Sequence, residues 1–231
     1  MIALTELVRY TSNLSPVVPL VLLLTLKKKR TKTIHILTAI IGLSFCSDAI
    51  SFFMAKKHID TSAFYNTYFV IQFFLLSYLY RQQVKNKKRI VATIIIFLAF
   101  FIINTLFLQP FTVYQSWLRL AGGIICIAYS VGFFREMMRA DKAEGYWGDN
   151  PPIDPFYHYP FWINAGIFYY FSFNLFLFAM DNFIFSHMSM QEIKVFLGFH
   201  NFNNIIKNLL FTFAVISFKK GNRSPLIYYK D

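Results

Sequence analysis

Residues 90–108 read IVATIIIFLAFFIINTLFL, a run of 19 residues without a charged side chain. A helix of about 20 apolar residues crosses the roughly 30 Å hydrocarbon core of a bilayer. The whole chain has 231 residues, of which 56% are hydrophobic and 15% charged, and it contains 29 Phe but only 2 Cys. Soluble domains carry about 25% charged residues, and disordered chains lack aromatic bulk. The composition therefore predicts an all-α integral membrane protein and excludes a disordered chain or a disulfide scaffold.

Six further apolar segments flank this run and predict a polytopic bundle of seven transmembrane helices within one domain, residues 1–231. The predicted spans are 10–26, 33–55, 61–80, 90–108, 115–134, 161–180 and 196–218. The first span is the shortest and contains Pro16 and Pro19. It could instead be a signal peptide, but its basic run follows the apolar stretch and no small-residue cleavage site follows it, which favours an uncleaved span.

The basic residues predict the orientation of the bundle. Seventeen of the 23 Lys and Arg residues lie in the segments 27–32, 81–89, 135–142 and 219–230, which alternate spans would place on one side. The other side receives Arg9, Lys56, Lys57 and Lys194. Because the side richer in Lys and Arg is normally cytoplasmic, we expect the N-terminus outside and the C-terminus in the cytoplasm. The same short basic runs argue against a nucleic-acid partner, which would require one clustered basic surface.

The longest predicted connection is the cytoplasmic loop 135–160. It carries five of the 11 acidic residues, several aromatic residues and a Pro-rich stretch at 151–155. The aromatic residues suit the membrane interface. Two interpretations stay open, a loop lying on the lipid headgroups and a docking surface for a cytoplasmic protein partner. On the outer side, Ser189 and Glu192 have the spacing of a capping box, so we expect the seventh helix to begin near Met190.

Polar residues inside the spans are costly in hydrocarbon and therefore usually face the bundle interior or a wet cavity. In span two, Asp48 lies on a stripe of serines and is the carboxylate deepest within the predicted spans. Arg119 in span five could line a cavity or extend to the water at the outer end. When successive residues are placed 100° apart around a helix, the polar residues of span seven occupy an arc of about 160°. Lys207 lies on this arc, near mid-membrane. A structural salt bridge between Lys207 and Asp48 is one interpretation of this pair.

These polar residues fall in the outer half or the middle of their spans, and we expect their faces to converge on a cavity that opens outward. The predicted ligand-binding or pore-lining residues are Asp48, Tyr65, Tyr68, Gln72, Asn104, Arg119, Asn174, His200, Asn203, Asn204, Lys207 and Asn208. Amide donors and cations outnumber the single carboxylate of this set. The set therefore favours a small polar or anionic ligand.

Seven spans with an outer N-terminus and Lys207 midway along the last span resemble the microbial rhodopsins. In that family the lysine carries retinal as a Schiff base, so the resemblance implies retinal on Lys207. The chain departs from the family because its third span has no Asp or Glu as a counterion, and Asp48 lies on span two instead. The stretch Pro160–Gly166, together with Asn204-x-x-Lys207-Asn208, also resembles uncharacterised bacterial seven-span proteins, which implies the bacterial inner membrane.

Zinc-binding seven-span hydrolases offer a further comparison through residues 44–48, which read SFCSD. The five histidines lie in different segments, and no pair has the spacing of zinc ligands, which normally number three or four. No phosphate loop or nucleophile elbow is present either. We therefore expect no metal, no cofactor and no enzymatic activity.

Two function hypotheses remain from the sequence. The first is a sensor or receptor-like module that binds its ligand in the outer cavity and signals through the inner loops. The second is a channel or pore-forming effector, in which a homo-oligomer turns polar faces toward a shared axis. A receptor requires the polar faces to point inward within one chain.

Overall fold

The computed structural model describes residues 2–26, 30–143 and 158–220. Within these ranges the protein is all-helical. The helices are α1 (Ile2–Leu14), α2 (Val17–Leu24), α3 (Lys32–Lys56), α4 (Ser62–Gln83), α5 (Lys87–Ile103), α6 (Ser116–Ala143), α7 (Tyr159–His187) and α8 (Met190–Lys219). A π-helical segment, Asn104–Leu108, continues α5. The predicted all-α class is confirmed.

Five helical stretches of the described chain are long and apolar enough to cross a membrane. They are Thr5–Leu24, Lys32–Lys56, Lys87–Leu108, Ser116–Arg139 and Tyr159–Asp181. Helices α4 and α8 are long enough, at 22 and 30 residues, but are not among the five. Both carry many polar side chains at the positions predicted to line a cavity. The polar residues of the predicted site therefore lower the hydropathy of the two helices that carry most of them.

The first predicted span is two helices rather than one. The chain turns at Ser15 and Pro16, and Ser15 N donates to both Thr11 O and Ser12 O where the first helix ends. Pro19 in α2 has no backbone N–H to continue the ladder across this point. The helix also begins earlier than predicted, at Ile2. The break exposes a short polar stretch of backbone and side chains to a neighbouring helix.

Several helix ends are set by local side-chain bonds. Ser189 and Glu192 form the predicted capping box at the start of α8, with Ser189 N donating to Glu192 Oε2 over 2.8 Å. Thr31 accepts from Ile34 N at the start of α3, and Asn86 accepts from Arg89 N at the start of α5. These bonds satisfy amide groups that have no partner in the first turn of a helix.

Two helices extend beyond the predicted boundaries. Helix α6 continues past Phe134 to Ala143, so the first part of the predicted loop 135–160 is helical. The rest of that loop, residues 144–157, lies outside the described residues. Helix α7 continues past Met180 to His187. The prediction ended span six at Met180 because the apolar run stops there, whereas the helix goes on and adds Asp181 to the bundle interior.

The helices run alternately up and down, so that the bundle has two ends. The basic end contains the described residues 25–26 and 30–31, the connection 84–86 and the last turns of α6 and α8. The opposite end contains the connections 57–61, 109–115 and 188–189. The most extensive helix contacts are α7 with α8 and α6 with α7, followed by α1 with α8 and α3 with α4. In the half near the basic end, the interior is filled by apolar side chains such as Leu37, Leu76, Leu79, Tyr80 and Phe211.

Candidate functional site

A cavity of about 420 Å³ lies inside the bundle, in the half away from the basic end. Helices α1, α3, α4, α6, α7 and α8 contribute to its wall. Four of its lining residues, Arg9, Phe52, Ala55 and Leu197, are themselves exposed at the molecular surface. They belong to α1, α3 and α8. The mouth of the cavity therefore lies among these three helices.

Eight of the twelve predicted site residues line this cavity. They are Asp48, Tyr65, Tyr68, Gln72, Arg119, His200, Asn204 and Lys207. The helical phase of α3, α4 and α8 brings them together, because residues three, four and seven positions apart share one face of a helix. Ser44, Ser47 and Ser51 line it as well. The serine stripe that surrounds Asp48 in the sequence thus forms the α3 wall.

Asp48 and Lys207 border the cavity from opposite helices, α3 and α8. They interact electrostatically, but among the described residues no nitrogen–oxygen pair between them comes within 4.0 Å. The predicted salt bridge is therefore wrong as a direct contact. Lys207 Nζ lies 4.5 Å from the centroid of the Tyr170 ring instead, and Asp48 Oδ2 is buried with no hydrogen-bond partner in the described chain. Each charge has capacity for another partner.

Arg119 on α6 is 7% exposed and is enclosed by aromatic rings. Its guanidinium carbon lies 3.8 Å from the centroid of Tyr114, 5.6 Å from that of Phe69 and 5.8 Å from that of Tyr65. Its Nε and Nη2 atoms are buried and have no hydrogen-bond partner within the described ranges. The alternative of a side chain extending to water is therefore wrong. The rings stabilise the cation but leave its Nε and Nη2 donors unused.

Asp181 is a second carboxylate in the cavity wall, and the sequence interpretation missed it. It interacts electrostatically with Arg119, although the described residues show no contact of 4.0 Å or less between these two groups. Its Oδ2 atom is buried without a hydrogen-bond partner in the described part of the chain. The signal was available, because Asp181 is seven positions beyond Asn174 and so lies on nearly the same face of α7. The assumed end of the span at Met180 concealed it.

The side-chain orientation of His200 is set by Asn174. Asn174 Nδ2 donates to Tyr170 O over 2.7 Å, so the amide oxygen Oδ1 faces His200 Nδ1 at 2.9 Å. Since an amide oxygen only accepts, we assign the hydrogen to Nδ1 of His200. Nε2 is then the ring nitrogen that can accept or bind within the cavity. Asn203 Nδ2 also donates to Asn174 Oδ1, over 3.4 Å.

The other polar residues of α8 pack against neighbouring helices. Asn204 Nδ2 donates to Ser12 Oγ over 3.0 Å, and Asn208 Nδ2 donates to Ser15 Oγ over 2.7 Å. These bonds hold α8 against the break between α1 and α2. Asn204 borders the cavity as well, whereas Asn208 does not. One polar stripe on α8 therefore serves two purposes, helix packing and cavity lining.

Four predicted site residues lie outside the cavity wall: Asn104, Asn174, Asn203 and Asn208. Asn174 and Asn203 belong to the α7–α8 contact, where Asn203 Oδ1 also accepts from the Tyr169 hydroxyl over 3.1 Å. Asn104 begins the π-helical segment and is fully buried, with both amide atoms unpaired within the described chain. The sequence shows that these amides are interior but does not show which neighbour each one faces.

The cavity thus presents two facing pairs of opposite charge. Arg119 on α6 and Asp181 on α7 form one pair, and Lys207 on α8 and Asp48 on α3 form the other. The arrangement offers donors for an oxyanion and acceptors for an ammonium group within one enclosed space. Among the described residues no group of three or more His, Cys, Asp and Glu side chains could hold a metal ion.

The described chain is thus an all-helical protein with several helices that could span a membrane, and it contains an internal cavity lined by charged residues. No protein-family model, curated protein or solved structure matches the chain. Any statement about its activity therefore rests on the chain's own residues.

Proposed function

We propose that the protein is a sensor or receptor-like module of a membrane and binds a small polar ligand in the cavity. The proposal rests on one observation, the burial of the Arg119 and Lys207 side chains beside the cavity. Both are more than nine-tenths buried and both border a cavity of about 420 Å³. In the described chain, Arg119 Nε and Nη2 have no hydrogen-bond partner, and Lys207 has no carboxylate oxygen within 4.0 Å. Buried charged groups whose hydrogen bonds are incomplete are penalised. A bound polar molecule would relieve that penalty.

Seven spans are part of this proposal. Helices α4 and α8 carry apolar side chains on their outward faces, including Ile71 and Phe74 on α4 and Phe202 and Leu209 on α8, which are 36–52% exposed. A helix with an apolar outer face and a polar inner face suits a bundle in lipid. With α1 and α2 counted as one span, seven crossings result. The excess of Lys and Arg at the basic end favours a cytoplasmic location for that end and an outward-opening cavity.

The outward faces also favour a receptor over an oligomeric pore. Between Val195 and Phe213 of α8 the exposed side chains are apolar, whereas His200, Asn204 and Lys207 line the chain's own cavity. A pore shared between subunits would need polar residues on the outer face. Beyond Lys207, the described interior toward the basic end contains the buried apolar side chains Leu37, Ile41, Leu76 and Phe211. We propose that the signal passes through helix movements to the basic-end connections.

Paired cysteine variants test whether the cavity is open to water. Ser47 and Ser77 are both buried serines whose hydroxyls have no partner among the described residues, but only Ser47 borders the cavity. In a Cys46→Ala background, Ser47→Cys should react with a small charged thiol reagent, and Ser77→Cys should not. Reaction should slow when a ligand that raises the melting temperature is present. Equal resistance of both cysteines to the reagent would contradict the proposal.

A further inference from the structure

The cavity carries as many carboxylates as buried cations. Asp181 balances Arg119, and Asp48 balances Lys207, while Arg9 at the exposed mouth already pairs with Glu6 at 2.7 Å. A purely anionic ligand would leave the buried Oδ2 atoms of Asp48 and Asp181 without a hydrogen-bond donor and would add negative charge beside them, in an enclosed space where charges interact strongly. An uncharged ligand could offer these four groups hydrogen bonds but no opposite charge. A ligand with one positive and one negative group matches the wall best.

The Arg119–Asp181 pair has room for a ligand with adjacent opposite charges. Arg119 and Asp181 interact across a gap that exceeds 4.0 Å, and each keeps buried polar atoms without a partner among the described residues. A carboxylate can accept two parallel hydrogen bonds from a guanidinium group. An ammonium group one carbon away would then lie toward the carboxylate of Asp181. The aromatic rings of Tyr65 and Tyr114 form the adjacent wall.

The volume agrees with a small molecule of this kind. About 420 Å³ lies near the lower end of the range of roughly 300–1,000 Å³ for ligand pockets. Beyond the Arg119–Asp181 pair, the cavity continues to Gln72, His200, Asn204 and Lys207. These groups provide polar contacts for the remainder of the ligand.

We propose that the cavity binds a small free zwitterion of the α-amino-acid type, with its carboxylate on Arg119 and its ammonium group at Asp181. The inference rests on the proposed function, because it names the ligand class for the same cavity. Lys207 and Asp48 then contact the side chain of the ligand.

The test uses the full-length protein purified in lipid-free detergent. The melting temperature and the heat of binding are measured with each of the twenty common L-amino acids. For the amino acid with the largest shift, the matched amine without the carboxylate and the matched acid without the ammonium group are measured as well. At least one amino acid should raise the melting temperature, and each matched analogue should bind roughly ten- to hundred-fold more weakly, as expected for the loss of charged hydrogen bonds.

Two substitutions assign the two charges of the ligand. Asp181→Asn should weaken binding of the amino acid but not binding of the matched acid, because it removes a negative charge beside Arg119. Arg119→Lys, which keeps the charge but not the forked donors, should weaken both. Asp60→Asn and Arg81→Gln change exposed groups outside the cavity and should change neither affinity. If Arg119→Lys does not fold, binding of the amino acid and of the matched acid to Asp181→Asn still shows whether Asp181 holds the ammonium group.

The outcomes separate this inference from the proposed function. If the matched acid binds as tightly as the amino acid, or if only phosphate, a sugar or an ethanolamine phospholipid in nanodiscs shifts the melting temperature, the zwitterion inference is overturned and ligand binding stands. If no compound of any class shifts the melting temperature and Ser47→Cys resists the thiol reagent, the proposed function fails and the inference fails with it.

Discussion

Asp48 and Lys207 face each other across the internal cavity, interact electrostatically and make no contact of 4.0 Å or less in the described chain. Helix α3 holds the carboxylate and α8 holds the ammonium group, and these two helices pack mainly against other partners, α4 and α7. The two charges therefore lie on helices that are held in place by different neighbours, with a gap between them. It keeps both charges available to a third group.

A double-mutant cycle measures the coupling across this gap. Asp48→Asn and Lys207→Met should each lower the free energy of unfolding, because each leaves one charge in the bundle interior without its counterpart. The double variant should cost less than the sum, with a coupling energy of about 0.5–3 kcal/mol. Unfolding in mixed detergent micelles provides the measurement. The pair Asp60→Asn with Lys207→Met serves as the control and should be additive, and strict additivity of Asp48 and Lys207 would show that the two charges do not interact.

The sequence predicts the helices of this bundle well and their mutual contacts less well. Apolar runs predict α3, α5 and α6, and the capping box predicts the first residue of α8, because these features depend on neighbouring residues only. The partner of Asn203 and the gap between Asp48 and Lys207 depend on how α7 and α8 are rotated against other helices. No local pattern contains that rotation. Asp181 was missed for a different reason, since hydropathy ends a span before the helix itself ends.

The ring of Phe69 approaches Gly122 on α6 closely, so that helix packing at this position affects the cavity wall. A Cβ atom at this position would lie 2.7 Å from Cζ of Phe69, a buried residue whose ring also contacts Arg119. Gly122→Ala should therefore lower the free energy of unfolding by about 1–3 kcal/mol, the usual cost of an overfilled core. It should also weaken ligand binding by displacing the ring.

Gly132 on the same helix provides the matched control, because a Cβ atom there would meet nothing within 4 Å. Gly132→Ala should be neutral or stabilising, since alanine favours a helix over glycine by about 1 kcal/mol. Thermal unfolding of both variants in one detergent gives the comparison. Equal melting temperatures for the two variants would show that Phe69 moves aside without cost.

The capping box at the start of α8 should make stability depend on pH. Hydrogen bonds from the Ser189 hydroxyl and the Ser189 amide to the Glu192 carboxylate hold its pKa below the usual value. A lowered pKa in the folded state contributes stability that is complete above the unfolded pKa, near 4.3, and is lost as the pH falls through the folded pKa. Glu192→Gln should remove this loss of stability at low pH, whereas the Lys194→Gln variant should still show it. Melting temperatures between pH 7 and pH 3 test the difference.

Single cysteines test the seven crossings and their direction. Lys85 lies at the basic end and Met190 at the opposite end, and both are exposed. In intact cells, a membrane-impermeant thiol reagent should label Met190→Cys and should label Lys85→Cys only after the membrane is opened. The Cys46→Ala chain without an added cysteine is the control for background. Labelling of both positions from one side would contradict the topology.

The two hydrogen bonds that join α8 to the break after α1 should differ in cost, because only one of them borders the cavity. Ser12→Ala removes the acceptor of Asn204, and Ser15→Ala removes the acceptor of Asn208. Hydrogen bonds between membrane helices contribute about 0.6 kcal/mol on average and up to about 1.7 kcal/mol. Water in the cavity can replace Ser12 as the partner of Asn204, whereas Asn208, 2% exposed and outside the cavity, has no such replacement. We therefore expect Ser15→Ala to lower the free energy of unfolding by about 1 kcal/mol and Ser12→Ala by less than half as much.

Unfolding of the two variants in the same mixed micelles gives both values, and Thr11→Ala, an exposed neighbour on α1, controls for changes in helix propensity. A larger cost for Ser12→Ala than for Ser15→Ala would indicate that the cavity is dry in the unliganded protein.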